Sequence, residues 1–141
     1  MVVQTDAGQI VLSGVCIVNA NNEVLLLRRR DHGHLETPGG KLEETDCNDY
    51  KNNGFTEHDL QNAAIREMFE ELGQGFIVEE FDSLGSGSFT LPDGEIALAY
   101  KFSTRLLFGQ PVLQETKTFS GFEWVPVESL HSRTDLSPDL S

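Results

Sequence analysis

The sequence predicts an α+β fold, with strands grouped before and after one long amphipathic helix. Two aliphatic, β-branched segments, residues 10–18 (IVLSGVCIV) and 23–29 (EVLLLRR), flank the turn-rich Asn19-Ala20-Asn21-Asn22. Residues 57–72 space their apolar side chains at a helical period between a fitting N-cap, Thr56, and a stop at Gly73. The second half turns back to strands, broken by Leu91-Pro92-Asp93-Gly94. No repeat or long low-complexity segment interrupts the pattern, so residues 1–141 read as one domain.

Between the second strand and the helix, a loop from Arg30 to Thr37 leads into Pro38-Gly39-Gly40, which is expected to stop any regular element. Residues 44–56 (ETDCNDYKNNGFT) are polar and rich in Asn and Asp, and read as an exposed surface excursion. After the helix, strands are expected over 76–82, 86–90, 95–104 and 121–125, with a short helix near 127–131. The tail from Arg133 is polar and is expected to be loosely held over 133–141.

Composition narrows the function classes. Lys and Arg number 10 against 23 Asp and Glu, a formal net charge of −13. That balance excludes a phosphate-backbone binder, which needs a basic face, and opposes association with anionic lipid. An acidic protein still binds anionic ligands when divalent cations stand between the two charges. The 38% hydrophobic fraction and nine Phe argue against disorder. Cys16 and Cys47, without a CxxC, imply neither a disulfide framework nor a zinc ribbon. No apolar run is long enough to span a membrane and no signal peptide is evident, so the expected location is cytoplasmic.

The helix carries the chemistry. With Glu67 set at zero and about 100° per residue, Glu70 falls near −60° and Glu71 near +40°. Ile65, Met68, Phe69 and Leu72 fall between about 100° and 200°, which is expected to be the core-facing stripe. Like charges three and four residues apart repel. A solvated acidic face is one explanation, and a hard divalent cation with oxygen ligands is the other. Ala63 and Ala64 lie beside the glutamates, where small side chains let another backbone segment approach, and Pro38-Gly39-Gly40-Lys41 offers such a segment.

Gly39-Gly40-Lys41-Leu42-Glu43, followed by Ala63-Ala64-Ile65-Arg66-Glu67-Met68-Phe69-Glu70-Glu71-Leu72-Gly73, resembles the Nudix box, G-x5-E-x7-R-E-U-x-E-E-x-G-U. The second half matches at every specified position from Arg66 to Gly73. Leu25 to Arg29 and Glu123 to Leu130 also look like the family's second strand and final strand, so the likeness covers most of the chain. Two departures stand out. Counting from Gly40 puts Asp46 where the family has Glu, and 19 residues separate Asp46 from Arg66 where the pattern has seven, an insertion of 12. Its Asp46-x-Asn48 start and Gly54 are only faintly similar to a calcium loop, and the spacing does not fit one. The first-half carboxylate role is open to Glu43, Glu44, Asp46 or Glu57.

The resemblance implies a Nudix-like α/β/α sandwich with a mixed sheet and one long catalytic helix. It implies Mg²⁺, with Mn²⁺ as a substitute, held by Glu70, Glu71, the Gly39 carbonyl and Glu67, which is alternatively the water-activating group. Arg66 becomes the residue that orients a metal-binding glutamate through a forked ion pair. Arg29 aligns with a family position that contacts substrate phosphates, Lys41 also faces phosphate, and strand alternation puts Arg28 and Arg30 on the other side. A further acidic group, acting as base or metal ligand, is expected from the loop before the last strand: Glu115, with Glu95 and Glu123 behind it. His32 and His34 are exposed loop histidines or stack on a nucleobase.

The implied reaction is hydrolysis of a diphosphate linkage in a nucleoside diphosphate derivative, with water as nucleophile. The small size resembles the nucleoside-triphosphate-cleaving members that sanitise nucleotide pools. ADP-ribose, NADH and dinucleoside polyphosphates are the rival substrates, although Pro92 lies a few residues too far from the box to match the ADP-ribose subgroup. A Nudix-fold binding module without turnover is the rival from another class, and all three box glutamates stand against it. A homodimer is the expected assembly from general frequency alone.

Overall fold

The computed structural model describes residues 1–137. Eight strands form one mixed sheet: β1 (Ile10–Val18), β2 (Glu23–Arg29), β3 (Leu35–Glu36), β4 (Gly39–Lys41), β5 (Phe76–Val78), β6 (Asp82–Thr90), β7 (Ile96–Gly109) and β8 (Phe119–Pro126). β3, β2, β1, β7 and β5 lie in that order, with β4 on β1, β6 on β7 and β8 on β2. β1 and β7 run parallel from Ile10↔Ala97 to Val18↔Arg105, and the other pairings are antiparallel. Two helices, α1 (Tyr50–Asn53) and α2 (Glu57–Leu72), and 3₁₀ segments at Glu44–Asp46 and Val127–Ser132 complete the regular structure of the described residues. Among the described residues no helix is long and apolar enough to cross a membrane.

Strand alternation sorts the side chains into two cores. Val11, Val15, Ile17, Leu25 and Leu27 face α2 and pack on Leu60, Ala63, Ala64, Met68 and Leu72. Val24, Leu26 and Val125 face the other way and pack with Leu35, Leu136 and Leu130 of the 127–132 segment. The sheet is therefore covered on both sides, thickly by α2 and thinly by the C-terminal segment.

Several expectations are corrected. Pro38-Gly39-Gly40 does not end regular structure, because Gly39–Lys41 pairs with β1 through Gly14↔Gly39 and Ser13↔Gly40. A Cβ on Gly39 would come 2.5 Å from the Ser13 carbonyl oxygen, so only glycine permits this approach. Residues 44–56 are not a plain surface loop, since Cys47, Tyr50 and Phe55 pack against the main core and the Phe55 ring meets Tyr100 edge-on at 6.1 Å. Burial also holds the Cys47 thiol protonated, pushing it up to about 11. The strand expected over 76–82 is two: β5 ends at Val78 and β6 begins at Asp82. β7 and β8 are longer than expected, and the last helical turn is 3₁₀.

The tail from Arg133 is tied down as far as it is described. The Leu35 N–H donates to Asp135 O at 2.7 Å and the Ser137 N–H to Leu35 O at 2.8 Å. Arg133 and Arg28 both hold the Asp135 carboxylate, at 2.8 and 3.0 Å, keeping it well below the usual carboxylate range. Residues 138–141 lie outside the described residues. Leu136, 7% exposed, closes the second core. Leu136→Ala is expected to cost about 2 kcal/mol of unfolding free energy in urea, as truncation of a nearly buried leucine does.

Candidate active site

α2 begins with a reciprocal cap: Thr56 Oγ1 accepts from the Asp59 N–H at 3.2 Å, and Asp59 Oδ2 accepts from the Thr56 N–H at 2.9 Å. Asp59 Oδ1 also accepts from the Asn48 N–H at 3.0 Å, stitching the 44–56 segment to the helix. The helix turns Leu60, Ala63, Ala64, Met68, Glu71 and Leu72 inward. The buried face is thus centred beside Glu67 and Glu71, and the expected stripe is corrected: Ile65 is only half-buried. Ala63 and Ala64 let β1 and β4 close on the helix as their size suggested.

That rotation points the glutamates at β4. Glu71, 3% exposed, accepts the Gly39 N–H through Oε1 at 2.9 Å. Burial pushes its carboxyl up to about 9, with the charges of Glu67, Glu115 and Glu36 adding and the Gly39 hydrogen bond opposing. Burial also raises Glu67, against the opposing charge of Arg66. The Gly40 α-carbon lies against the Glu67 carboxylate, where an added Cβ would be 2.5 Å from Oε1.

Arg66 holds the site together. Its Nε donates to Asp46 Oδ1 at 2.8 Å and Nη2 to Asp46 Oδ2 at 2.9 Å, a two-pronged pair. Nη1 donates to Glu67 Oε1 at 3.0 Å and to Glu70 at 3.3 Å, and Nη2 to the Lys41 carbonyl at 3.4 Å. Of the four carboxylates left open for the first-half role, Asp46 is the one on Arg66. Its oxygens serve Arg66 and the Glu43 N–H rather than a calcium loop. Burial alone would raise the Asp46 carboxyl, but the Arg66 hydrogen bonds and charge outweigh it, so the net shift is downward.

A lowered carboxyl stabilises the fold above its unfolded value and loses that contribution as pH falls through the folded one. Asp46→Asn is therefore expected to cost about 1.5 kcal/mol at neutral pH, with the gap from wild type closing as pH drops below about 4. Urea unfolding of both proteins across that range checks it.

Glu115 arrives from the 110–118 loop. Gln114 N–H donates to the Glu71 carbonyl at 2.8 Å, while Arg30 pins the loop through Nε to Thr116 O at 2.7 Å and its N–H to Thr118 O at 2.9 Å. Arg30 thus has a part that its side of the strand alone did not suggest. Glu67, Glu70 and Glu115 each present an oxygen within 4.8 Å of the others. Three hard carboxylate oxygens so grouped fit a divalent cation of the Mg²⁺ type. Glu71 stands one step away on Gly39. Glu123 faces Arg28 and Arg133 instead, and Glu95 is exposed on the β6–β7 turn.

On the other side of β4 lies a pocket of about 470 Å³. Arg29 and Lys41 line it, as do His32 and His34, whose rings are 4.6 Å apart. Arg29 is braced by Asp31 at 2.9 Å and Glu36 at 3.5 Å and lies over the Phe119 ring. Arg28 turns away to Gly33 O, Glu123 and Asp135, as alternation predicts. Thr37, Lys101 and the hairpin residues Phe89, Leu91 and Pro92 also line the pocket, and sequence reasoning placed none of them in a ligand site. A lysine within Ile96-Ala97-Leu98-Ala99-Tyr100-Lys101-Phe102 was the available signal.

The NUDIX domain profile matches residues 10–140. The chain belongs to the NUDIX family. Its fold is similar to the MutT protein of Methanosarcina mazei Go1, at 22% identity over 93% of this chain and 86% of that one, with a TM-score of 0.68. It is also similar to a MutT NUDIX hydrolase of Burkholderia pseudomallei, at 22% identity over 92% and 91%, with a TM-score of 0.71. The NUDIX domain of Shewanella oneidensis NrtR, solved in complex with ADP ribose, superposes at a TM-score of 0.68, with 16% identity over 94% and 82%. At these identities the likeness is one of fold. No curated protein matches the sequence. Membership and the likeness to NUDIX hydrolases support a hydrolase of pyrophosphate bonds, in a family that acts on small nucleotide substrates and typically needs a divalent metal.

Proposed function

We propose that this NUDIX protein is a Mg²⁺-dependent nucleoside triphosphate pyrophosphohydrolase, with Glu67, Glu70 and Glu115 holding the cation. The observation that carries this reading is the position of Gly40, which lines the pocket on one side and abuts the Glu67 carboxylate on the other. A nucleotide in the pocket would present its diphosphate where β4 meets α2. Bound Mg²⁺ would supply neutralisation of phosphate oxygens and a more acidic water.

The chain's own groups do the rest. Arg29 and Lys41 grip the phosphates from the pocket wall. Arg66 fixes Glu67 and Glu70 in place, and Glu71 holds β4 through the Gly39 N–H, with the Gly39 carbonyl as the backbone ligand that the family resemblance implies. A carboxylate oxygen of Glu115 takes the proton of the attacking water as the new P–O bond forms and the bridging P–O bond breaks, the leaving phosphate carrying away the electron pair.

The test is product release with Mg²⁺ from nucleoside triphosphates, including oxidised ones, ADP-ribose, NADH and diadenosine polyphosphates, repeated with chelator. Triphosphate turnover lost on chelation and restored by Mg²⁺ is the expected result. Turnover confined to ADP-ribose or a dinucleotide overturns the substrate, and silence across the panel overturns the enzyme in favour of a binding module.

A further inference from the structure

β4, β1 and β7 lie side by side, and their register puts Gly39, Gly14 and Lys101 in one row. Two strand spacings, about 10 Å, separate the two ends. One end of the row adjoins the carboxylates. At the other, the Lys101 ammonium donates to the Thr37 hydroxyl over the bare backbone of Gly14. A Cβ on Gly14 would lie 3.1 Å from Lys101 Nζ and 3.2 Å from Thr37 Oγ1, so the glycine keeps this corner open. Thr37 is 5% exposed, and Leu12, Phe89, Leu91, Pro92 and Ala99 supply an apolar wall to a pocket that Glu36 also lines. The pocket's size falls within the range of about 300–1,000 Å³ typical of small-molecule sites.

We infer that this corner reads the edge of a nucleobase and selects bases carrying a keto oxygen over their amino counterparts, with Lys101 and Thr37 as the reading pair; the inference rests on the nucleotide reading above. An ammonium has three N–H donors and no acceptor. Thr37, accepting from Lys101, has its own hydroxyl proton left to donate. The pair therefore presents donors to the ligand. The O6 of guanine or the O4 of uracil accepts from them, whereas the amino group of adenine or cytosine at the same position sets donor against donor. Against an apolar wall a polar edge left without its partner is disfavoured, which is what makes such a site selective. The apolar wall supplies the face against which the ring lies, and the row leads from there to the diphosphate.

GTP against ATP and UTP against CTP are the discriminating pairs, each comparing keto with amino at one edge. The wild-type kcat/KM is expected to favour the keto member about 10- to 100-fold, falling to within about threefold in Lys101→Met and partly retained in Lys101→Arg. Titration of GMP and AMP without metal, followed by NMR, reads the same preference with no diphosphate to cleave. GMP preference lost in Lys101→Met supports the inference even if no nucleotide is hydrolysed, in which case the hydrolase reading alone falls. Equal handling of the pairs, an amino preference, or a keto preference that Lys101→Met keeps overturns it. Circular dichroism checks the fold, and if Lys101→Met does not fold, Thr37→Val replaces it with the same expected loss of preference.

Discussion

Glu70→Gln is expected to lower kcat about 10³-fold, equivalent to about 4 kcal/mol of transition-state stabilisation, while leaving the metal-free fold intact. The substitution removes one of the three oxygens grouped within 4.8 Å and keeps the side chain's size. Its structural cost is small because the Glu70 side chain is half-exposed and its ion pair with Arg66 is a surface i,i+4 contact at 3.3 Å. Such pairs are worth only a few tenths of a kcal/mol. Single-turnover assays at saturating Mg²⁺ and substrate, beside urea unfolding without metal, separate the two effects. A kcat within tenfold of wild type would remove Glu70 from the metal site, and a large stability loss would make it a structural residue.

The two glycines of β4 should fail in opposite ways. In Gly39→Ala the new methyl group meets backbone, 2.5 Å from Ser13 O and 2.7 Å from the Gly14 α-carbon, and β1 cannot yield without breaking its ladder to β7. A stability loss above about 3 kcal/mol is expected, with activity lost through unfolding. In Gly40→Ala the methyl meets the end of the Glu67 side chain, 2.5 Å from Oε1, which can swing away. There the fold should survive within about 1 kcal/mol, but a carboxylate displaced by an ångström from its Arg66 anchor is expected to cost about 10²-fold in kcat. Thermal melts and kinetics on both variants check the contrast. A stable, active Gly39→Ala would contradict the close approach of β4 to β1, and a fully active Gly40→Ala would take Glu67 out of the reaction.

Much of this protein was legible residue by residue. The Thr56 cap, the Gly73 stop, strands β1 and β2 and the Arg66-Glu67-x-x-Glu70-Glu71 array all follow from spacing along the chain, and the structure contains each of them. The inward face of α2 was misread for a physical reason. Hydrophobic patterning places carboxylates outside, but here Glu67 and Glu71 face inward because Arg66 and the Gly39 N–H receive them. The same logic hid β4, whose glycines look like a break until β1 is seen within contact of them.

What the sequence by itself determined is therefore local: the family, the helix and its boundaries, and the three glutamates three and four residues apart on one side of it. Only the tertiary structure decided that Asp46, 19 intervening residues before Arg66, is the carboxylate on that arginine, that Glu115 rather than Glu95 or Glu123 joins Glu67 and Glu70, and that Lys101 and Thr37 meet above Gly14. Helical periodicity is set by backbone geometry and survives in any window of sequence. Contacts between distant residues depend on how the sheet registers and how the core packs, and no spacing in the chain encodes them.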